Sequence, residues 1–378
     1  MTSHDIVVIG GGAVGLAIAY LAAKRGMNVA LIERHNVLSG ATGFSAGIVT
    51  AQLSLEQDVR LALRTIEVLE EVEKLSEVKF MEETGFVTVE PQWMAEETAR
   101  MLTSQGVNCT LLDHDELRER IPMLLTKDHE LGVYTGVDRV VDPEGLGRAY
   151  SRLLDLLGVE VYLRNRITGV RFSGDSVESV QLDGKGSLRA DNVVFAAGPW
   201  NKPLMSELGI YDVPTVIYKC QVVKLRFLEP WDYVPFYVSE NHLYMRHDVG
   251  RTSLAGNGYS RVVETAEGAI GPAEPEYVYH IVDLLSERLR RPEAILVEGG
   301  WAGPCSSTHD GMPLVGRVPG TSNCFIVDGL DGYGLMRSAG VAELLIEAVI
   351  HGREAEWASP SRPMALTGES EVVELHSV

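Results

Sequence analysis

Apolar positions along this chain follow two rhythms, and the first is set at once. A continuous β-branched run at 6–9 is short enough for a buried parallel strand. Glycines interrupt it at 10–12, apolar positions resume at 16–23 over helical length with Gly26 as a stop, and a second run at 29–32 ends at Glu33. The pattern predicts a βαβ unit. Residues 56–79 place Leu61, Leu63, Ile66, Leu69, Val72 and Leu75 at helical spacing among charges, which predicts a solvent-facing amphipathic helix. A short strand at 86–89, a helix at 96–105 and a capped helix at 113–120 stopped before Pro122 follow. A helix from Pro143 to about 157, a buried strand at 159–163 and an apolar strand in the stretch 190–200 restore the opening rhythm.

From about 210 to 300 the rhythm changes to strands with little helix, at 215–227, 236–239, 243–246 and 252–256, which predicts an antiparallel sheet. A helix at 277–290, a strand at 325–327, a glycine-rich turn at 329–334 and a long helix at 338–350 complete the ordered part. The tail after Glu354 reads as mobile. Chain that returns to the first sheet after an insertion makes two interleaved domains: the first at 1–80, 141–210 and 299–355, the second at 81–140 and 211–298, and a tail at 356–378.

Composition narrows the partners. Fifty-three acidic against 33 basic residues leave a net charge of −20, which argues against nucleic acid, since neutralising phosphates takes clustered Lys and Arg. The four cysteines, Cys109, Cys220, Cys305 and Cys324, show no paired spacing, so no metal site or disulfide framework is read and a cytoplasmic location is expected. The uncharged stretch 6–23 has transmembrane length, but its preceding MTSHD lacks a basic region and three consecutive glycines suit a turn. No transmembrane segment is expected.

The chemistry-bearing motif is Gly10, Gly12 and Gly15 in GxGxxG spacing, flanked by strand and helix. These glycines allow a tight turn, close approach of backbone to a pyrophosphate, and close helix packing, while the helix N-terminus favours the negative charge. Glu33, eighteen residues after Gly15, stands where a ribose diol is bound. The Gly- and Ser-rich stretch 39–52 suits a loop whose amides approach a ligand.

This motif, the SGATG loop, VVFAAGPW, WAGPCSSTHDGMPLVG and DGLDGYGLM, in that order, resemble the D-amino-acid oxidase superfamily of flavoproteins, nearest its glycine oxidase, sarcosine oxidase and dye-linked proline dehydrogenase branch. The resemblance covers nearly all of residues 4–352. It implies an α/β (α+β) architecture: a Rossmann-like FAD-binding domain interleaved with a mainly antiparallel-sheet substrate domain. It places Gly10, Gly12, Ala13, Val14 and Gly15 on the pyrophosphate and Glu33 with Arg34 at the adenosine ribose. Thr42, Gly43, Ala46 and Gly47 fall along the ribityl-flavin side, and Ala197, Gly198 and Trp200 near the cofactor. Gly329, Gly332, Tyr333, Gly334, Leu335 and Met336 form the turn at the flavin's pyrimidine end.

The resemblance implies hydride removal from a carbon bearing an amine, giving an imine that hydrolyses. The substrate is a small amine or amino acid of the glycine, sarcosine or proline type, and the electron acceptor is oxygen, a quinone or a partner subunit, which leaves a hetero-oligomer open. Cys305 stands where relatives with arginine bind the carboxylate, and its CxxT context is similar to that of a covalently flavinylated cysteine. Noncovalent FAD is the favoured reading, with a Cys305 link as the alternative. Met336 replaces a carboxylate-binding lysine and Leu254 an oxygen-activating one, which tilts the reading toward a dehydrogenase. Arg246, Tyr244, Tyr333 and Arg337 remain as candidates to orient a substrate. The alternative reading is a 2-hydroxy acid or glycerol 3-phosphate dehydrogenase with His247 or His309 as base. A flavin subunit relaying electrons in a larger complex is a third.

Overall fold

The computed structural model describes residues 3–184 and 186–364. Strand Ser3–Ile9, helix Ala13–Lys24 and strand Val29–Glu33 form the opening βαβ unit, and the two strands pair in parallel. On its other side Ser3–Ile9 pairs in parallel with Gly186–Phe195, which pairs in parallel with Cys324–Asp328. Glu160–Leu163 lies beyond Val29–Glu33. Its apolar run predicts burial, but as the edge strand it leaves Val161 and Leu163 exposed. An antiparallel hairpin, Ile167–Ser173 and Ser176–Leu182, extends the opposite side; its polar alternation hides it in the sequence.

The second sheet runs Gly271–Pro272, Ile295–Thr308, Thr215–Phe227, Thr252–Gly256, Leu243–His247, Phe236–Val238, Phe86–Pro91, Glu130–Thr135, Cys109–Leu112. Its neighbours are antiparallel except Phe236–Val238 beside Phe86–Pro91, where two widely separated parts of the chain meet in parallel. Ile295–Thr308 reads in the sequence as glycine-rich chain, yet it is the strand most extensively paired with Thr215–Phe227. A small third sheet joins Ile48–Val49, Arg139–Val141 and Met81–Glu83.

Helix Glu56–Ser76 carries the expected period but is not chiefly solvent-facing. Val59, Leu61, Ile66, Leu69 and Val72 are buried, and Leu75 points outward. The cause lies in helix Gly334–His351: a Cβ on Gly340 would come within 2.6 Å of the Leu61 carbonyl oxygen, so glycine lets the two backbones touch. The tail is also more ordered than its composition suggests. Ala358 is buried and Arg362 holds Asp310 through a 2.7 Å ion pair, so residues 355–364 pack onto the body. Residues 365–378 lie outside the described part. No helix among the described residues is long and apolar enough to cross a membrane.

Candidate functional site

Backbone geometry builds the first half of the site. Gly10 has φ +110°, and a Cβ there would sit 2.5 Å from the Ala196 carbonyl oxygen. A Cβ on Gly15 would lie 1.9 Å from the Gly10 carbonyl oxygen, so only glycine allows helix Ala13–Lys24 to start this close to the strand. Gly12, its N-cap, instead borders open space, with Thr42 Oγ1 as the nearest atom a Cβ would meet, at 3.7 Å. The Ala13 amide donates to Thr42 Oγ1 at 3.2 Å, and no acid stands in the helix's first turn to offset its positive end. Val14 is buried just behind it.

Glu33 ends the second strand with both oxygens turned back. Oε2 accepts from the Gly11 amide and Oε1 from the His35 amide, each at 2.7 Å. Arg34 lies 4.7 Å over the Trp200 ring and pairs with Glu267 at 2.9 Å, and Trp200 Nε1 donates to the same carboxylate at 2.6 Å. Glu267 belongs to this corner although no sequence motif marks it. The Ala197 amide donates to Asn201, which donates to the Val327 carbonyl, and Gly198 has φ +56° facing open space.

The stretch 39–52 is less of a free loop than expected: Ala41–Phe44 forms a 3-10 turn and Ile48–Val49 a strand. A Cβ on Gly43 would strike the Leu38 carbonyl oxygen at 2.4 Å, and one on Gly47 the Val141 carbonyl oxygen at 2.3 Å. Arg246 Nε donates to the Ala46 carbonyl at 2.6 Å, which ties this segment to the second sheet.

At the far end, Asp328 closes its strand by accepting from Ser306 Oγ at 2.6 Å and from the Gly329 amide at 2.7 Å; burial pushes its carboxyl up to about 6. Gly329, Asp331 and Gly332 all have positive φ, and the turn delivers Tyr333 to the N-cap of helix Gly334–His351. Leu335 is buried and Met336 packs against the same core. Tyr218 donates to Asp331 at 2.9 Å. Cys305 stands opposite Tyr218 in the strand pair, and its thiol contacts that of Cys220, which is pushed well above its ordinary range by this contact and by burial.

Alternation divides the second sheet. Val87, Val89, Phe236, Val238, Leu243, Met245, Ala255, Val223 and Leu225 make the core on one side. Tyr237, Tyr244 and Arg246 therefore face the other side, toward the cradle. Burial holds the hydroxyls of Tyr218, Tyr237, Tyr244 and Tyr333 above their ordinary pKa, so all four are neutral. The arginines on which a carboxylate anchor was expected are engaged. Arg246 donates to the His247 carbonyl at 2.7 Å and pairs with Asp248 at 3.0 Å. Arg337 pairs with Asp58 at 2.6 Å, both buried, and lies 5.0 Å over the Tyr333 ring. His247 faces the opposite side of its strand, edge-on to Tyr233 and 3.2 Å from Glu82. His309 lies in the turn beyond Thr308.

The family model described as FAD dependent oxidoreductase matches residues 5–348. The chain belongs to this family. Among curated members, it is 26% identical to monomeric sarcosine oxidase of Bacillus sp. (strain B-0618) over 93% of this chain and 94% of that one. It is 27% identical to 4-methylaminobutanoate oxidase (formaldehyde-forming) of Paenarthrobacter nicotinovorans over 93% of this chain, but spans only 45% of that enzyme. The fold matches the crystal structure of L-proline dehydrogenase from P. horikoshii at a TM-score of 0.85, with 23% identity over 95% of this chain and 97% of that one.

Members of the family are FAD-dependent enzymes, and the cradle here fits that cofactor. Gly10 and Gly15 leave no room for a side chain, while Gly12 and the helix N-terminus, with no acid in its first turn, leave room and positive potential for a pyrophosphate.

Proposed function

We propose that this FAD-dependent oxidoreductase oxidises a small secondary amine or amino acid of the sarcosine, glycine or proline type, with the imine product hydrolysing in water. The observation that carries this reading is the cradle-facing side of the second sheet, which is lined by neutral tyrosines, while His247, one of the two histidines named as a base for alcohol chemistry, points to the other side. Bound FAD supplies the hydride acceptor. An amine arriving neutral has its own lone pair to form the C=N bond, whereas an alcohol needs a base for its hydroxyl proton. With His247 on the far side of its strand, one of the two candidate bases for oxidising a 2-hydroxy acid or glycerol 3-phosphate is out of place, which supports amine oxidation.

Tyr244 and Tyr333 take the orienting role. Arg246 and Arg337, whose charges are matched by Asp248 and Asp58, hold the Ala46 segment and the Tyr333 turn in place. The relatives named sarcosine oxidase and 4-methylaminobutanoate oxidase support the methylamine class. Leu254, apolar and buried, favours an acceptor other than oxygen, such as a quinone or a partner subunit. Cys305 keeps a thiol neighbour in Cys220, which favours noncovalent FAD.

The test is anaerobic bleaching of the flavin spectrum by sarcosine, glycine, L-proline, glycerol 3-phosphate and L-2-hydroxyglutarate, followed by air. Bleaching by an amine and slow recolouring are expected. Bleaching by a hydroxy compound alone would overturn the assignment, and rapid recolouring would make the enzyme an oxidase.

A further inference from the structure

Two buried acceptor atoms on the cradle-facing side of the second sheet have no donor. Glu90 lies on strand Phe86–Pro91, two residues beyond Thr88, and Thr88 is opposite Tyr237. The alternation that buries Val87 and Val89 in the opposite core turns Glu90 toward the Tyr237 and Tyr244 side, where helix Gln92–Ser104 covers it. It is 7% exposed; Thr98 on that helix supplies one hydrogen bond and Oε2 receives none. The second atom is Gln52 Oε1, also buried and unpartnered. The amide's orientation is fixed, because Nε2 donates to the carbonyls of Phe86 at 3.0 Å and Val133 at 3.1 Å, leaving the oxygen to face away from them. Nε2 also donates to Thr135 Oγ1 at 2.7 Å, and Thr135 is opposite Phe86, so Gln52 lies three to four residues of strand from Glu90, roughly 10–14 Å, and Glu90 stands without it.

A buried carboxylate oxygen or amide oxygen without a donor is costly, and such groups in native proteins have a partner. Burial pushes the Glu90 carboxyl up, a cost that a cation alongside would offset. None of the neighbouring cations is placed on Glu90: Arg246 and Lys224 share Asp248, at 3.0 and 3.8 Å, and Arg337 pairs with Asp58 at 2.6 Å. Tyr237 links this place to the reaction site: it is opposite Thr88, diagonal to Glu90, and opposite Tyr244 in the next strand pair.

We infer that the substrate carries a second protonated amine, remote from the carbon–nitrogen bond that is oxidised, and that Glu90 receives that ammonium. This rests on the amine reading above and narrows it to a diamine. Glu90 is then a specificity-determining residue.

Three methylamines on a four-carbon chain test this with the FAD-loaded full-length enzyme: N-methylputrescine, N-methylbutylamine and 4-methylaminobutanoate, whose far ends are cationic, neutral and anionic. Anaerobic calorimetry reads binding independently of turnover. N-methylputrescine should bind at least tenfold tighter than N-methylbutylamine, with 4-methylaminobutanoate weakest. In Glu90→Gln the preference of the first over the second should fall to within threefold, while affinity for N-methylbutylamine stays within twofold. Tighter binding of the carboxylate by wild type, or an unchanged preference in a folded Glu90→Gln, would overturn the inference. The wild-type ranking stands as a test even if the variant fails to fold. Flavin bleaching in the same samples separates the two conclusions: tight diamine binding without bleaching would sink the amine chemistry and leave the ammonium site intact.

Discussion

The two walls of this site are made of different materials. The cradle wall is backbone: Gly10, Gly12 and Gly15 shape it, and its charge comes from the positive end of a helix with no acid in its first turn. The sheet wall is side chains, with tyrosines, engaged arginines and two donorless acceptors whose meaning depends on what each neighbour neutralises. A wall of the first kind tolerates only glycine where backbones touch, as at Gly10 and Gly15, and binds a group common to a whole family. A wall of the second kind can be re-specified by changing one partner of a pair.

The sharpest way to break this contrast is at Gly15. Gly15→Ala puts a methyl 1.9 Å from the Gly10 carbonyl oxygen, against backbone that cannot swing aside. We expect a flavin-to-protein absorbance ratio below about a tenth of wild type or an insoluble chain, a consequence of backbone contact at the phosphate turn. Gly26→Ala, at φ +82° with nothing within 4 Å, should keep its flavin and lose only about 1–2 kcal/mol.

On the sheet side the largest effect should come from the buried ion pair. Arg337→Met strands Asp58 and should cost about 3–5 kcal/mol in denaturant unfolding, most of it recovered by adding Asp58→Leu. A small loss in the single variant would mean that Arg337 is not committed to Asp58.

Next in size is a pH effect at Asp138. This residue accepts from the Ala51 amide at 2.8 Å and from Thr135, and burial raises its carboxyl from 3.8 to about 6. The folded state then holds the proton more tightly than the unfolded state. Its contribution is full below about pH 4 and is lost as pH rises through about 6. Wild type should therefore gain up to about 3 kcal/mol relative to Asp138→Asn on going from pH 7 to pH 4. An unchanged gap between the two melting curves would show that Asp138 is not held protonated. The smallest effect serves as a baseline: Arg60→Ala, which removes an exposed pair with Glu56, should shift stability by less than about 0.5 kcal/mol.

The same contrast explains what could be read from the sequence. Backbone constraint writes itself into residue type, so Gly10, Gly15 and Glu33 mark the cradle through their identity and spacing alone. Glu267 and Glu90 could not be found that way. A lone glutamate in a strand or short helix has the same local signature whether it points to solvent or to a site, and only strand pairing decides. The strand Ile295–Thr308 is obscured for a related reason: its glycines admit Phe44 and Val222 at close range, so packing rather than propensity makes it a strand. Helix Glu56–Ser76 is legible as a helix, but its burial against Gly340 comes from a residue far away in the chain.

The order of strands in the first sheet also sets a timetable. Ser3–Ile9 leaves the ribosome ahead of its partners, yet one of its two neighbours ends at residue 195 and the strand beyond that ends at residue 328. Sheets closed by such distant partners form late and leave strand edges exposed in the interval. The parallel sheet that carries the phosphate turn is therefore complete only once residues 324–328 have joined it, more than three hundred residues after its first strand.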